Sequence, residues 1–253
     1  MDFLTTILAE KRLEIAQLPA NQGSPNIPTA RPSFYEIVRN NPTKMHVIGE
    51  IKRASPSKGA IHPTVDVVTQ ATTYEAAGVS AISVLTDPLF FKGSIDDLRT
   101  VAEVVSVPLL CKDFILDVKQ LIRAKAAGAS IVLLIVAALT QAELEQLYQQ
   151  AIELGLEVLV ETHDLDELLR AQAIGAHLIG VNNRHLKTFD VTIATSEQLA
   201  PPADNRVYIS ESGFRTAADV ARITAHYHAV LVGETLMRAS QPGSKVQELQ
   251  VKR

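Results

Sequence analysis

SIVLLIVAALTQAELEQLYQQAIELGLEVLVE, residues 130–161, decides the fold. Residues 130–136 form a short apolar run rich in β-branched side chains, the length of a strand rather than a helix. Thr140 follows, with Glu143 three positions on, the spacing of a helix-capping box. Residues 141–154 then carry apolar positions at helical period, and Gly155 can supply the left-handed residue that ends a helix. Residues 156–161 are a second apolar run. Strand, helix and strand, with both strands apolar on both faces, make one βα unit of a covered parallel sheet.

The same rhythm runs outward in both directions. Strand-like runs lie near 46–51, 80–86, 108–112, 177–181, 207–211 and 228–233, which brings the total to eight. Helical patterns lie near 65–77, 95–104, 117–127, 164–174, 193–199 and 216–226, with Asp117 a further N-cap and Gly78, Gly128 and Gly175 further stops. Eight units predict a closed (β/α)8 TIM barrel. A doubly wound open sheet is the alternative, but no GxGxxG loop follows the first strand. Upstream, residues 3–18 read as an amphipathic helix. Pro19, Gly23, Pro25, Pro28 and Pro32 make 19–32 a linker. The expected organisation is a single barrel domain over 1–253, with 1–32 a helical extension and linker packed on it.

Composition removes several function classes. The 253 residues are 47% apolar and 21% charged, with a formal net charge of −4. That balance gives no electrostatic case for a nucleic-acid groove, and 5% aromatic content without tryptophan argues against a base-stacking surface. No apolar run reaches the roughly 18 residues of a membrane span. Cys111 is single, so neither a disulfide framework nor a cysteine-cluster metal site is expected. The seven histidines are dispersed without an HExxH-type pair, and no metal is expected. The opening Met-Asp-Phe, followed by Glu10, Lys11 and Arg12, does not read as a signal peptide. A cytoplasmic location is expected.

In such a barrel the loops leaving the C-terminal strand ends form the active face. Those ends carry Glu50 and Lys52, Asp87, Lys112 and Asp113, Glu161, Asn182 with Asn183 and Arg184, Glu211 and Ser212, then Gly233. Any one of them alone could be solvated loop or a structural ion pair; their convergence on one mouth points to a site. Glu50 and Lys52, two apart on an extended segment, can face the same way. Lys112 follows the apolar PLLC run and is too costly to bury unpaired, so it must reach a carboxylate or a ligand anion. Glu161 ends LEVLVE in the same manner. Lysines and glutamates together suit proton transfer at a carbonyl substrate. SPSKG (55–59) reads as a mobile cationic loop with a lid as one use. The corners SESG (210–213) and VGET (232–235), with a short helix beginning near Thr235–Arg238, stand where barrels often hold phosphate. His163 could approach the mouth. Cys111, on the opposite strand face from Lys112, reads as inert core.

These strings carry a resemblance. GEIKRASPSKG (49–59), SVLTD (83–87) with FFKGS (90–94), LLCKDF (109–114), LVET (159–162), IGVNNRHLKTF (179–189), SESG and VGETLMR (232–238) occur in the order found in the indole-3-glycerol-phosphate synthase family, and the likeness spans about residues 3–240. Departures are small: Lys92 stands where glutamine is frequent, His185 where asparagine is common, and GET replaces GES or GSS while keeping a hydroxyl at Thr235.

The resemblance implies a decarboxylating carbon–carbon lyase of tryptophan biosynthesis. It would convert 1-(2-carboxyphenylamino)-1-deoxyribulose 5-phosphate to indole-3-glycerol phosphate, CO2 and water, without cofactor or metal. It makes Lys112 the principal general acid and Glu161 an acid/base partner in later steps. Glu50 and Lys52 would orient the substrate and assist proton transfer. Asn182 and Glu211 would hold substrate hydroxyls, and Arg184 would face the anthranilate carboxylate or brace Glu50. Phe114, Leu133 and Phe91 would line an apolar pocket for the ring. Ser55, Ser212, Gly213, Gly233 and the amide of Glu234 would bind phosphate. The sequence is silent on oligomeric state; the expectation is a monomer, open to association with other enzymes of the tryptophan pathway. Two rival readings are phosphoribosylanthranilate isomerase, which would need Cys111 turned inward, and a non-catalytic phosphometabolite-binding barrel.

Overall fold

Alternation along each strand sorts its residues into two environments. In the computed structural model, which describes residues 3–19 and 31–253, one set fills the barrel and the other faces the helices. The chain enters through α1 (Phe3–Gln17) and α2 (Phe34–Asn40), then β1 (His46–Ile51) and a small antiparallel hairpin of β2 (Ala54–Ser55) and β3 (Gly59–Ala60). The remaining strands are β4 (Ala81–Leu85), β5 (Leu109–Lys112), β6 (Ile131–Ile135), β7 (Glu157–Thr162), β8 (Leu178–Asn182), β9 (Val207–Glu211) and β10 (Ala229–Val232). They close into an eight-stranded parallel barrel of β1 and β4–β10, with β1 paired to β4 at Ile48–Ala81 and to β10 at His46–Ala229. This is the (β/α)8 barrel that the eight repeated units predict.

Ile48, Leu110, Leu133, Leu159, Ile209 and Leu231 belong to the packed interior. Val47, Val84, Cys111, Val132, Val160, Tyr208 and Val230 face outward, under the helices. Around the barrel run α3 (Val67–Ala76), α4 (Ile95–Val104), α5 (Val118–Ala126), α6 (Gln141–Glu153), α7 (Leu165–Ala173), α8 (Ala194–Leu199) and α9 (Ala217–Ala221), followed by α10 (Glu234–Arg238) and α11 (Pro242–Leu249). Thr140 and Glu143 form the expected capping box on α6, Asp117 forms one with Gln120 on α5, and Gly155 ends α6 at φ +71°.

The structure adds what periodicity missed. Seven-residue α2 covers the N-terminal mouth: Phe34 and Val38 join the interior cluster, and the Phe34 N–H donates to Glu157 at the start of β7 at 2.7 Å. Helix α11 packs on α3 and α10. Segment 55–59, read as a loop, contains the turn of the β2–β3 hairpin. The predicted linker over 19–32 lies mostly outside the described residues. Where the chain is described again, Arg31 donates to the carbonyls of Ala102, Val105 and Val107 at 2.6, 2.7 and 2.8 Å.

Candidate active site

The site continues the inward-facing set by one step. Period 2 carries Ile48 to Glu50, Leu110 to Lys112, Leu159 to Glu161, Gly180 to Asn182, Ile209 to Glu211 and Leu231 to Gly233. The apolar layers therefore give way to ionisable groups at the C-terminal mouth. There a cavity of about 860 Å3 opens, and every residue to which the resemblance gives a catalytic, substrate or phosphate role, from Glu50 to Glu234, lines it; Asp87, Asn183 and His163 do not.

Lys112 stands at the centre. Its Nζ donates to Glu161 Oε2 at 2.6 Å and to Glu211 Oε2 at 2.8 Å. Burial works to neutralise the ammonium, but Glu161, Glu211 and Glu50 together outweigh it and raise the lysine above its ordinary value. The two carboxyls then part company. Burial opposes ionisation of Glu161, but Lys112 and His163 overcome it and hold the group well below the usual carboxylate range. Glu211, pushed up to about 8 by burial and by the Glu161 charge, stays protonated at neutral pH. Its Oε1 is buried without a hydrogen-bond partner among the described residues. His163 lies behind Glu161, its Nε2 at 3.4 Å from Oε1 and its Nδ1 at 3.0 Å from Glu167, and these two carboxylates raise it to about 10 against the effect of burial.

Glu50 and Lys52 pair at 2.5 Å. Two glycines make room for these groups. A Cβ on Gly180 would meet Glu211 Oε1, and one on Gly233 would meet Glu50 Oε1 and lie 2.9 Å from Lys52 Nζ. Arg184 does not brace Glu50, one of the two options considered. Its Nη1 donates to Ser57 Oγ at 3.1 Å and to the Phe189 carbonyl at 3.2 Å, because the hairpin places Ser57 within its reach. Phe91 and Phe114 stand with ring centroids 6.1 Å apart.

On the opposite wall, Ser212 and Gly213 are both left-handed, at φ +69° and +97°, so the chain makes a tight corner there. Thr235 Oγ1 donates to the Phe214 carbonyl at 2.7 Å, tying this corner to the start of α10. Glu234 lines the cavity and pairs along its helix with Arg238 at 3.1 Å. Ser55 Oγ is buried with no partner among the described residues.

Some strand-end residues do other work. Asn183 binds Ser210 and Ser196 inside the wall, and Asp87 and Asp113 pair with Lys11. Cys111 faces the helices, and burial pushes its thiol up to about 12. An inward-facing thiol acid, which the isomerase reading requires, is therefore not available from it. Sequence reasoning did not assign Phe3, Leu4 and Ile7 of α1, nor Arg215 and Arg238, to the cavity they line. The first three read as the packing face of an added helix, which hides that this face also lines the cavity. Among the described residues no group of three His, Cys, Asp or Glu side chains is placed to hold a metal ion.

A closed barrel whose ionisable side chains gather at its C-terminal mouth is the arrangement of the (β/α)8-barrel enzymes. Within that class, the family model described as indole-3-glycerol phosphate synthase matches residues 4–249. The chain is 56% identical to the indole-3-glycerol phosphate synthase of Listeria welshimeri over 254 residues, covering all of both chains. It is 49% identical to that of Streptococcus sanguinis over 251 residues, covering 99% of this chain and 98% of the other. The chain belongs to the indole-3-glycerol-phosphate synthase family. Solved structures of a 3-hexulose-6-phosphate synthase (TM-score 0.61, 81% of this chain and 98% of that one) and of a thiamine phosphate pyrophosphorylase from Pyrococcus furiosus (0.59, 81% and 93%) share its fold at 16% identity.

Proposed function

We propose that the chain converts 1-(2-carboxyphenylamino)-1-deoxyribulose 5-phosphate to indole-3-glycerol phosphate, CO2 and water, with Lys112 as the central proton donor. The observation that carries this reading is the Lys112 ammonium at the floor of the cavity, 2.6 Å from Glu161 and 2.8 Å from Glu211, an arrangement that lowers the one carboxyl and leaves the other raised. A charged acid, a charged base and a neutral hydroxyl partner then stand side by side.

Lys112 protonates the ribulose carbonyl oxygen as the ring carbon bearing the carboxylate attacks the carbonyl carbon. Breaking the bond to the carboxylate returns its electron pair to the ring, and CO2 leaves. The new hydroxyl departs as water, protonated by Lys112 or Lys52. Glu161 takes a proton from the neighbouring carbon to complete the indole. Glu50 holds Lys52 in place, and Asn182 and Glu211 bind substrate hydroxyls. Phe91, Phe114 and Leu133 hold the aromatic ring. Arg184 faces the anthranilate carboxylate. Ser55, the Ser212–Gly213 corner and the amides from Gly233 and Glu234 bind phosphate, with Arg215 and Arg238 adding positive charge beside them. The enzyme works as a cytoplasmic monomer in this reading.

The test is to incubate the purified protein with substrate and follow indole fluorescence. Lys112→Ala should fold normally and lose roughly 10²–10⁴ in kcat. Turnover near that of the wild type would sink the assignment of Lys112. Substrate binding without any product in the unmutated protein would favour the non-catalytic barrel.

A further inference from the structure

Lys11 is a cation in the middle of α1, yet it is only 2% exposed, while Leu13 on the same helix faces solvent. A charge this buried must be paired to persist. Its Nζ lies 2.6 Å from Glu14, 2.8 Å from Asp113 and 3.0 Å from Asp87. Asp87 and Asp113 come from the ends of adjacent barrel strands, and both also hold the backbone of aromatic residues. Asp87 Oδ2 faces Lys11 while its Oδ1 accepts the N–H groups of Phe90 and Phe91 at 2.7 and 3.3 Å. Asp113 Oδ1 faces Lys11 and accepts the Phe114 N–H at 2.8 Å; its Oδ2 accepts from Thr86 at 2.7 Å and lies 3.5 Å from Arg123. Arg123 also reaches Glu14, at 2.8 Å.

Helix α1 touches the same loop a second time. Phe3 makes edge contacts with Phe90 and Phe189 at centroid distances of 5.5 and 5.2 Å. Lys11 and Phe3 are about 12 Å apart along the helix at 1.5 Å per residue. The helix is thus fixed at two points, with the cavity-lining Leu4 and Ile7 between them.

We propose that Lys11 is a positioning residue for the aromatic side of the site: by clamping Asp87 and Asp113 it sets Phe91 and Phe114 against each other and holds α1 as the facing wall. The proposal rests on the functional reading above, in which these phenylalanines receive the substrate's ring. Lys11 touches no reacting atom, so its loss weakens binding of the ring and leaves proton transfer in place.

The experiment compares wild type, Lys11→Met and Lys11→Arg in steady-state kinetics, with the dissociation constant of indole-3-glycerol phosphate measured by fluorescence titration. Lys11→Met should raise KM and that dissociation constant about tenfold while kcat stays within threefold, and Lys11→Arg should return both to within threefold of wild type. Should Lys11→Met not fold, Lys11→Met/Asp87→Asn restores the net charge of the cluster and carries the same expectation. A folded variant that binds as wild type does, whatever its Tm, overturns the proposal, because a merely structural clamp would move Tm alone. Wild-type protein that binds the product but does not turn over substrate refutes the functional reading instead, and the titration still decides the role of Lys11.

Discussion

Glu161 and Glu211 contact the same ammonium from two strands, and the second of them is forced to give up its charge. Glu211, at about 8, lies above the ordinary carboxylate value of 4.5. Folding therefore takes up a proton between those values. The stability this group contributes is present at low pH and is lost as pH rises through about 8. Glu211→Gln fixes the neutral form, so its Tm should fall less between pH 6 and pH 9 than that of the wild type; parallel Tm curves would show that Glu211 is already ionised. Identity and ionisation differ in how far sequence can reach them. Strand parity alone points Glu50, Lys112, Glu161 and Glu211 into the barrel. Their charges depend on which strands the closure brings together, and no local pattern carries that. Lys11 was illegible for the same reason: a lysine on an amphipathic helix reads as solvent-facing until its distant aspartates are in place.

Elements were most legible where local chemistry and tertiary packing agree. Thr140 accepts the Glu143 N–H while Glu143 reaches back to the Thr140 N–H at 2.8 Å, so the start of α6 is written in four residues. Thr140→Ala should cost about 1 kcal/mol, lowering Tm by roughly 2–4 °C for a chain of this size, with kcat and KM unchanged. A larger loss seen in thermal melts would mean that the cap also supports the preceding turn (Val136–Ala138) and the β6 end. By contrast, α2 spans two turns and lacks a run long enough to show its period, and β2 and β3 are two residues each. Such elements exist because the barrel offers them a surface. The site residue on the hairpin, Ser55, could therefore be named from motif but not put on a strand, and Ser57, which meets Arg184, could not be named at all.

The whole molecule separates its two mouths. Charge gathers at the C-terminal end around Lys112, while the N-terminal end is plugged by Phe34 and Val38, each 1% exposed, against Ile131, Leu178 and Val207. Between them lie the apolar layers of the interior, built from Ile48, Leu110, Leu133, Leu159, Ile209 and Leu231. Phe34→Ala would empty the plug, and deleting a buried phenylalanine costs about 3–5 kcal/mol through lost transfer energy and the cavity left behind. The expected outcome is a urea midpoint lowered by that free energy divided by the m-value, with kcat within twofold of wild type at a temperature where the variant remains folded. Lys112→Ala should do the reverse, losing turnover with little loss of stability, since His163 still faces Glu161 and Glu211 keeps its proton. If Phe34→Ala instead depresses kcat as strongly as Lys112→Ala, the interior is a lever between the mouths, and stability and catalysis are not separable in this barrel.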